Sequence, residues 1–294
     1  MPDLDSPEIA RAARLPATKH THLPPYSTRT KIYGSRLPLK SCYVSTQKAQ
    51  AIVIRQADFS ESSRVITLFS KEFGKLGILA KGAKRLKGPF DAALDLLSKC
   101  RVVFIAKSSG ALGILTQAHL EKNFEPIPKS LNSLYGGYYV AELLNGLTED
   151  QDPDPNVFTT AVKTLELLED PSADCLTTLV SFEIQFLHLI GLFPDLNQCC
   201  ICSEPVEAGE RFVHWVRQGG LLCKGCRKQE YESRSVSAGT IAVLRRLAEK
   251  NSVLSNRLKI NHNQRQECHA LAVSVISSTL GRKPEMLRYL SWKK

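Results

Sequence analysis

The sequence predicts an α+β chain in more than one part: a small N-terminal β-barrel, then a C-terminal helical domain enclosing a compact cysteine module. Three observations carry this. Five short β-prone runs, separated by turn residues, fall between Ala51 and Leu120. From Ser130 the apolar residues recur at spacings of three and four instead. Five of the nine cysteines crowd into residues 199–226, inside the helical region. A chain of 294 residues also suits two domains better than one.

Residues 1–49 read poorly as folded structure. Pro2, Pro7, Pro16, Pro24, Pro25 and Pro38 interrupt any helix, and apolar periodicity is weak. The segment is expected to be a solvated, disordered extension; an overextended gene start and a basic arm on nucleic acid are the alternatives. It carries no apolar core of a secretory signal, which points to a cytoplasmic protein. Asp3, Asp5 and Glu8 weaken a transit-peptide reading of its Arg, Ser and Thr content.

The barrel is expected over 50–125. Its strands are Ala51–Arg55, Arg64–Phe69, Leu76–Lys81, Arg101–Lys107 and Gly113–Leu120, with turns at Gly74, Gly88-Pro89 and Ser108–Gly110. Five strands in so short a segment suit a closed or partly open barrel, because closure protects strand edges. An OB-fold is the leading form and an SH3-like barrel the alternative. Lys81, Lys84, Arg85 and Lys87 place four positive charges in seven residues beside Gly82 and Gly88, a loop able to grip phosphates. Phe59, Phe73 and Phe90 are candidates for base stacking, although aromatics in a small barrel more often fill its core.

The helical domain is expected over 126–294. Leu131, Leu134, Tyr138, Ala141 and Leu144 mark one helical face, and Val157–Leu168 a second helix. Cys175–Ile190 is apolar nearly all round and is expected to be buried, with Gly191 and Pro194 stopping it. Within it, Glu183 is expected to make a salt bridge or local hydrogen bond, and His188 to be a packed or surface residue. Ser237–Leu247 and His262–Leu280 continue the pattern, and a short element is expected within 285–294.

The module at 199–235 interrupts these helices. Cys199-Cys-Ile-Cys202 and Cys223-Lys-Gly-Cys226 form two CxxC knuckles 20 residues apart. That spacing can bring four thiolates to one tetrahedral Zn2+, and a closed four-thiolate site is structural because no coordination position stays open. Cys200 is expected outside the ligand set, and His214 on the surface or behind the ligands. Phe212, Val213, Trp215, Leu221 and Leu222 are expected to form a small core of the module's own. Redox chemistry and iron–sulfur ligation are the weaker readings of the cysteines. The remaining four, Cys42, Cys100, Cys175 and Cys268, are isolated, which argues for a reducing compartment.

Net charge is +10, distributed unevenly: +5 over 1–50, +5 over 51–125, −9 over 126–198, +1 over 199–235 and +8 over 236–294. Basic stretches attract polyanions by releasing condensed counterions. No apolar run approaches the roughly 18 residues needed to cross a bilayer. Neither GxGxxG nor GxxxxGK[ST] occurs, so nucleotide hydrolysis lacks its usual phosphate cradle, and neither HExxH nor a deaminase HxE–PCxxC pair is present. The chain therefore reads as a non-enzyme.

Several longer stretches carry a resemblance. Ala51–Arg55 with Phe59-Ser-Glu61 and Arg64, Leu68–Gly74 followed by Ala80–Arg85, Tyr138–Leu144 with Phe158, Phe182–Leu187, and Gly191–Leu196 leading into the knuckles together resemble the bacterial recombination-mediator family RecO. The resemblance covers about residues 50–292. It implies an N-terminal OB-fold, a helical C-terminal domain around a zinc module, and function in DNA repair without a covalent reaction. It further implies binding of single- and double-stranded DNA, annealing of complementary strands, and help, with RecR and in some settings RecF, in loading RecA on DNA coated by single-stranded-DNA-binding protein, whose C-terminal tail it would recognise. By match, Arg55, Arg64, Lys81, Lys84, Arg85 and Lys87 become the DNA-contact candidates, in a cytoplasmic, nucleoid-associated protein; Lys81–Lys87 is the stronger set, and barrel-edge or structural salt-bridge roles are the alternative for Arg55 and Arg64. An interaction scaffold or transcription regulator without annealing activity is the alternative.

Overall fold

The computed structural model describes residues 46–85, 90–106, 112–124, 130–206, 212–215, 220–229, 233–249 and 260–292. Five N-terminal strands, β1 (Thr46–Asp58), β2 (Arg64–Ser70), β3 (Gly74–Ala80), β4 (Lys99–Ile105) and β5 (Gly113–Lys122), pair in the cyclic order β1-β2-β3-β5-β4. Four of the five ladders are antiparallel. The ring joins through a parallel β3–β5 seam of two residue pairs, Ile78↔Gly113 and Leu79↔Ile114. The first strand begins at Thr46, five residues before the apolar run at Ala51, because its polar start pairs with β4 from Thr46↔Ile105 onward. Its second half pairs with β2, and an irregularity at Val53/Arg55 lets one long strand serve both neighbours.

The run Ala51–Ile54 is apolar on consecutive residues because both faces of β1 are covered. Ala49, Ala51 and Val53 join Ile66, Leu68, Ile78, Val102 and Phe104 inside the barrel. Ile52 and Ile54, with Phe69, Leu97 and Phe124, belong instead to the core of the helical part. Val44–Lys294 is accordingly one compact unit.

Five helices follow: α1 (Leu131–Leu147), α2 (Pro155–Glu169), α3 (Cys175–Leu189), α4 (Ala238–Ala248) and α5 (His262–Leu280). Each starts at a side-chain cap: Ser130, Asp154, Asp174, Ser237 and Asn261 accept from backbone N–H groups of their first turns, and Gln264 completes a capping box with Asn261. Pro155 opens α2, where its missing N–H costs nothing. The central α3 buries Leu179, Val180, Phe182, Ile184, Phe186 and Leu187, as its apolar circumference requires. A 3-10 turn at Glu285–Arg288 ends the described chain's regular structure.

Between α3 and α4 lie three short strands, β6 (Phe212–Trp215), β7 (Gly220–Leu222) and β8 (Ser233–Val236), in the order β7-β6-β8. Among the described residues the module has no separate core. Phe212, Val213, Leu221 and Leu222 are buried in the same cluster as α1–α5, because a three-stranded sheet this small cannot cover its own apolar face. Among the described residues no helix is long and apolar enough to cross a membrane.

Candidate metal centre and nucleic-acid interface

The two CxxC knuckles converge. The Sγ atoms of Cys199, Cys202, Cys223 and Cys226 all lie within 4.8 Å of one another, and Cys202 and Cys223 are 3.7 Å apart. Four sulfurs held at about 2.3 Å from a tetrahedral ion stand about 3.8 Å apart, so this donor set fits a Zn2+-sized thiophilic cation. The backbone fixes the approach. The Cys199 N–H donates to the Glu204 carbonyl, the Ser203 N–H to the Cys199 carbonyl, and the Cys200 N–H to the Leu221 carbonyl. The Cys223 N–H points at Cys199 Sγ, 3.4 Å away. Burial raises the Cys199 thiol, but N–H groups of Cys202, Cys223 and Ile201 outweigh it and bring the thiol down to about 6. Cys200 is outside the cluster. It lies over Gly220, where an added Cβ would come within 2.6 Å of the Cys200 Cβ.

Of the two positions expected for His214, on the surface or behind the ligands, the surface one is excluded. The side chain is fully buried, with Nδ1 3.3 Å from Ser274 Oγ on α5, and it is not in the thiol cluster. His188 is exposed and meets Phe193 edge-on. Cys100 and Cys268 are fully buried, and burial pushes both thiols up to about 12. Burial likewise pushes Cys175 up to about 11, so these three are inert packing residues.

The predicted DNA-contact residues divide by position. Arg64 pairs with Asp58 across the end of the β1–β2 hairpin, and Ala80 lies opposite Arg64 on β3, so the Lys81–Arg85 loop emerges at that same end. The Lys84 N–H donates to the Ser62 carbonyl at 3.1 Å, tying this loop to the β1–β2 turn. Asp58 accepts from both Lys84 Nζ (3.0 Å) and Arg64 Nε (3.2 Å). The Lys84 bond above all holds the Asp58 carboxyl below the usual carboxylate range. Lys81 and Arg85 are exposed and have no ion pair among the described residues. Arg55 is exposed on β1 three register positions from Asp58. Lys87 lies outside the described residues.

Of the aromatic candidates, Phe90 is buried in the barrel core and Phe73 packs edge-on to Phe104 with ring centroids 5.7 Å apart. Phe59 alone is out in solvent, 63% exposed.

The sequence reading anticipated a bond from Glu183 but not its setting. The side chain is fully buried, accepts from Tyr139 Oη at 2.7 Å, and lies 3.0 Å from His269 Nδ1, whose ring stacks on Trp292. One carboxylate therefore joins α1, α3, α5 and the C-terminal segment. An acidic residue in an otherwise apolar helix was the available signal, but its partners lie 44 and 86 residues away in sequence.

Comparison with known proteins gives these features a context. Residues 44–124 match the family model for Recombination protein O N terminal, and residues 128–288 that for Recombination protein O C terminal. The curled five-stranded sheet and the helical body with its four-cysteine cluster thus define a DNA-recombination and repair protein. The chain is 37% identical over 199 residues to the DNA repair protein RecO of Rhodopirellula baltica, covering 67% of this chain and 73% of that one. It is 29% identical over 244 residues to that of Desulforamulus reducens, covering 83% and 93%. The chain belongs to the bacterial RecO family of recombination mediators, which act in DNA repair without catalysing a covalent reaction.

Proposed function

We propose that this protein binds single- and double-stranded DNA and anneals complementary strands, and that the cationic end of an OB-type barrel supplies the phosphate contacts. The observation that carries the reading is the convergence of Arg64, Lys81, Lys84 and Arg85 at one end of the strand ring, with Arg55 farther along the outer face. Cations so placed offset the repulsion between two phosphate backbones, while base pairing between the strands supplies sequence specificity. With RecR, and in some settings RecF, this activity serves RecA loading on DNA coated by single-stranded-DNA-binding protein, whose acidic C-terminal tail would dock on the helical part. Such a protein works in the cytoplasm at the nucleoid.

In this reading Cys199, Cys202, Cys223 and Cys226 hold one structural Zn2+. The ion supplies a cross-link between the knuckles and no reactive position. The backbone, for its part, ties the first knuckle to β7 through the Cys200 N–H and the Leu221 carbonyl.

The test is strand annealing without ATP, on complementary DNA coated with cognate single-stranded-DNA-binding protein. Acceleration that falls as salt rises is expected. The Lys84→Ala/Arg85→Ala double variant should reduce the slope of log affinity against log salt by up to about 2 while leaving metal content intact. Partner binding with no acceleration at any salt would favour a scaffold or regulator instead.

A further inference from the structure

Among the described residues of the barrel, Phe59 is the most exposed large apolar side chain, well ahead of Leu112. It follows directly on β1, and its backbone is held: the N–H groups of Phe59 and Ser60 both donate to the Ser63 carbonyl, at 3.1 and 3.3 Å. Lys84 Nζ reaches the Ser60 carbonyl at 3.4 Å and Asp58 at 3.0 Å, so the turn and the basic loop form one laced knob. An aromatic ring is thereby presented to water on a turn held by these four hydrogen bonds or ion pairs, with cations on the adjacent loop. Barrel packing does not account for it, since Phe90 and Phe104 fill the interior and Phe73 lies against Phe104.

We infer that Phe59 is a stacking platform for one unpaired nucleobase of a single DNA strand, whose backbone runs over Lys81, Lys84 and Arg85. This rests on the phosphate-binding reading of the loop and adds to it a contact that only an unstacked base can make. The occupant follows from the chemistry of the knob. A flat apolar ring beside cations complements a ligand with a π-face and a flanking anion, which is a nucleotide in a single strand. In duplex DNA the base faces are already occupied by their neighbours, so the same ring distinguishes single from double strands.

The experiment measures affinity of the full chain for oligothymidylate, for an abasic strand of equal length, and for duplex, at several salt concentrations. Phe59→Ala should weaken oligothymidylate binding roughly tenfold. Its binding to abasic strand and duplex, and its salt slope, should match the parent. Phe59→Tyr, which keeps the ring, should retain most of the affinity. Equal losses on base-bearing and abasic strands, or no loss at all, would overturn the assignment, as would unchanged DNA binding with loss of self-association in sedimentation, which would give the ring to a second copy. The Lys84→Ala/Arg85→Ala variant separates the two ideas. If its salt slope is unchanged, the phosphate site is elsewhere; if its slope falls while Phe59→Ala binds as the parent does, stacking alone fails.

Discussion

Asp58 shows how a single residue modifies a cationic site. Lys84 stands out in the sequence as a phosphate contact and Arg64 joins it by family match with a structural salt bridge as its alternative; both are engaged by the same carboxylate, at 3.0 and 3.2 Å. The trio carries one net positive charge rather than two, while Lys81 and Arg85 keep theirs. Asp58→Asn should therefore tighten DNA binding and steepen its salt slope by up to about 1, measured by titration between low and moderate salt; weaker binding would mean that Asp58 serves chiefly to position the cations. At the other extreme of burial, Glu183 is fully enclosed and depends on Tyr139 and His269. Tyr139→Phe leaves that carboxylate short of a donor and should cost about 1–3 kcal/mol in urea unfolding. Burial, then Glu183, pushes the Tyr139 phenol well above its ordinary value. The neutral phenol is thus favoured by the fold, and its contribution to stability is complete below about pH 10 and is lost as pH rises beyond that. The Phe variant should lack this alkaline decline.

Among elements, the informative junction is between the strand ring and α1. Gly74 takes a positive φ (+66°) at the β2–β3 turn, and an added Cβ there would overlap the Asp152 backbone. Beside it, Lys75 Nζ donates to the carbonyls of Asn145 (3.0 Å) and Thr148 (2.6 Å), at the C-terminal end of α1 where helix carbonyls lack partners. Leu97 enters from before β4 and packs on Gly137 of α1, where a Cβ would meet its Cδ1 at 2.6 Å. Gly74→Ala should destabilise by roughly 2–4 kcal/mol through left-handed strain and collision together, with loss of protease resistance at the 149–154 loop before global unfolding; a loss under 0.5 kcal/mol would show that the junction yields freely. The apolar strands of the cysteine module are likewise joined to the helical body, since Phe212 and Leu221 are buried in its core.

At the scale of the molecule, the charge blocks of the sequence are interleaved in space. The acidic segment 126–198 meets cations from the basic segments before and after it: Asp150 with Lys75, Glu169 with Lys122, Glu142 with Arg282 and Asp174 with Arg265. Lys75, Lys122, Arg265 and Arg282 are thus engaged in holding segments of the fold together. Because the cysteine module shares the main core, loss of a metal bound by its four thiols should reach beyond the module. A chelator strong enough to strip zinc, or Cys223→Ser, should lower the Tm of the whole unit and reduce metal content. An unchanged Tm with full loss of zinc would show that the knuckles are held by the apolar strands alone.

The elements were legible in the sequence because each depends on local chemistry. The helices at Leu131, Pro155, Cys175, Ala238 and His262 declare themselves by apolar period and by a capping Ser, Asp or Asn immediately before them. The four-thiol cluster was legible because knuckle spacing alone brings each cysteine pair onto one loop, leaving only the meeting of two loops to the fold. Where the first strand begins was not, since Thr46–Gln50 is polar and is a strand only by pairing with β4. Nor were the partners of Glu183, the burial of His214, the hold of Asp58 on Lys84, or the exposure of Phe59 in contrast to Phe90. Each of these is set by residues that chain folding brings together from a distance, and a local pattern records what a residue is able to do without recording what stands opposite it.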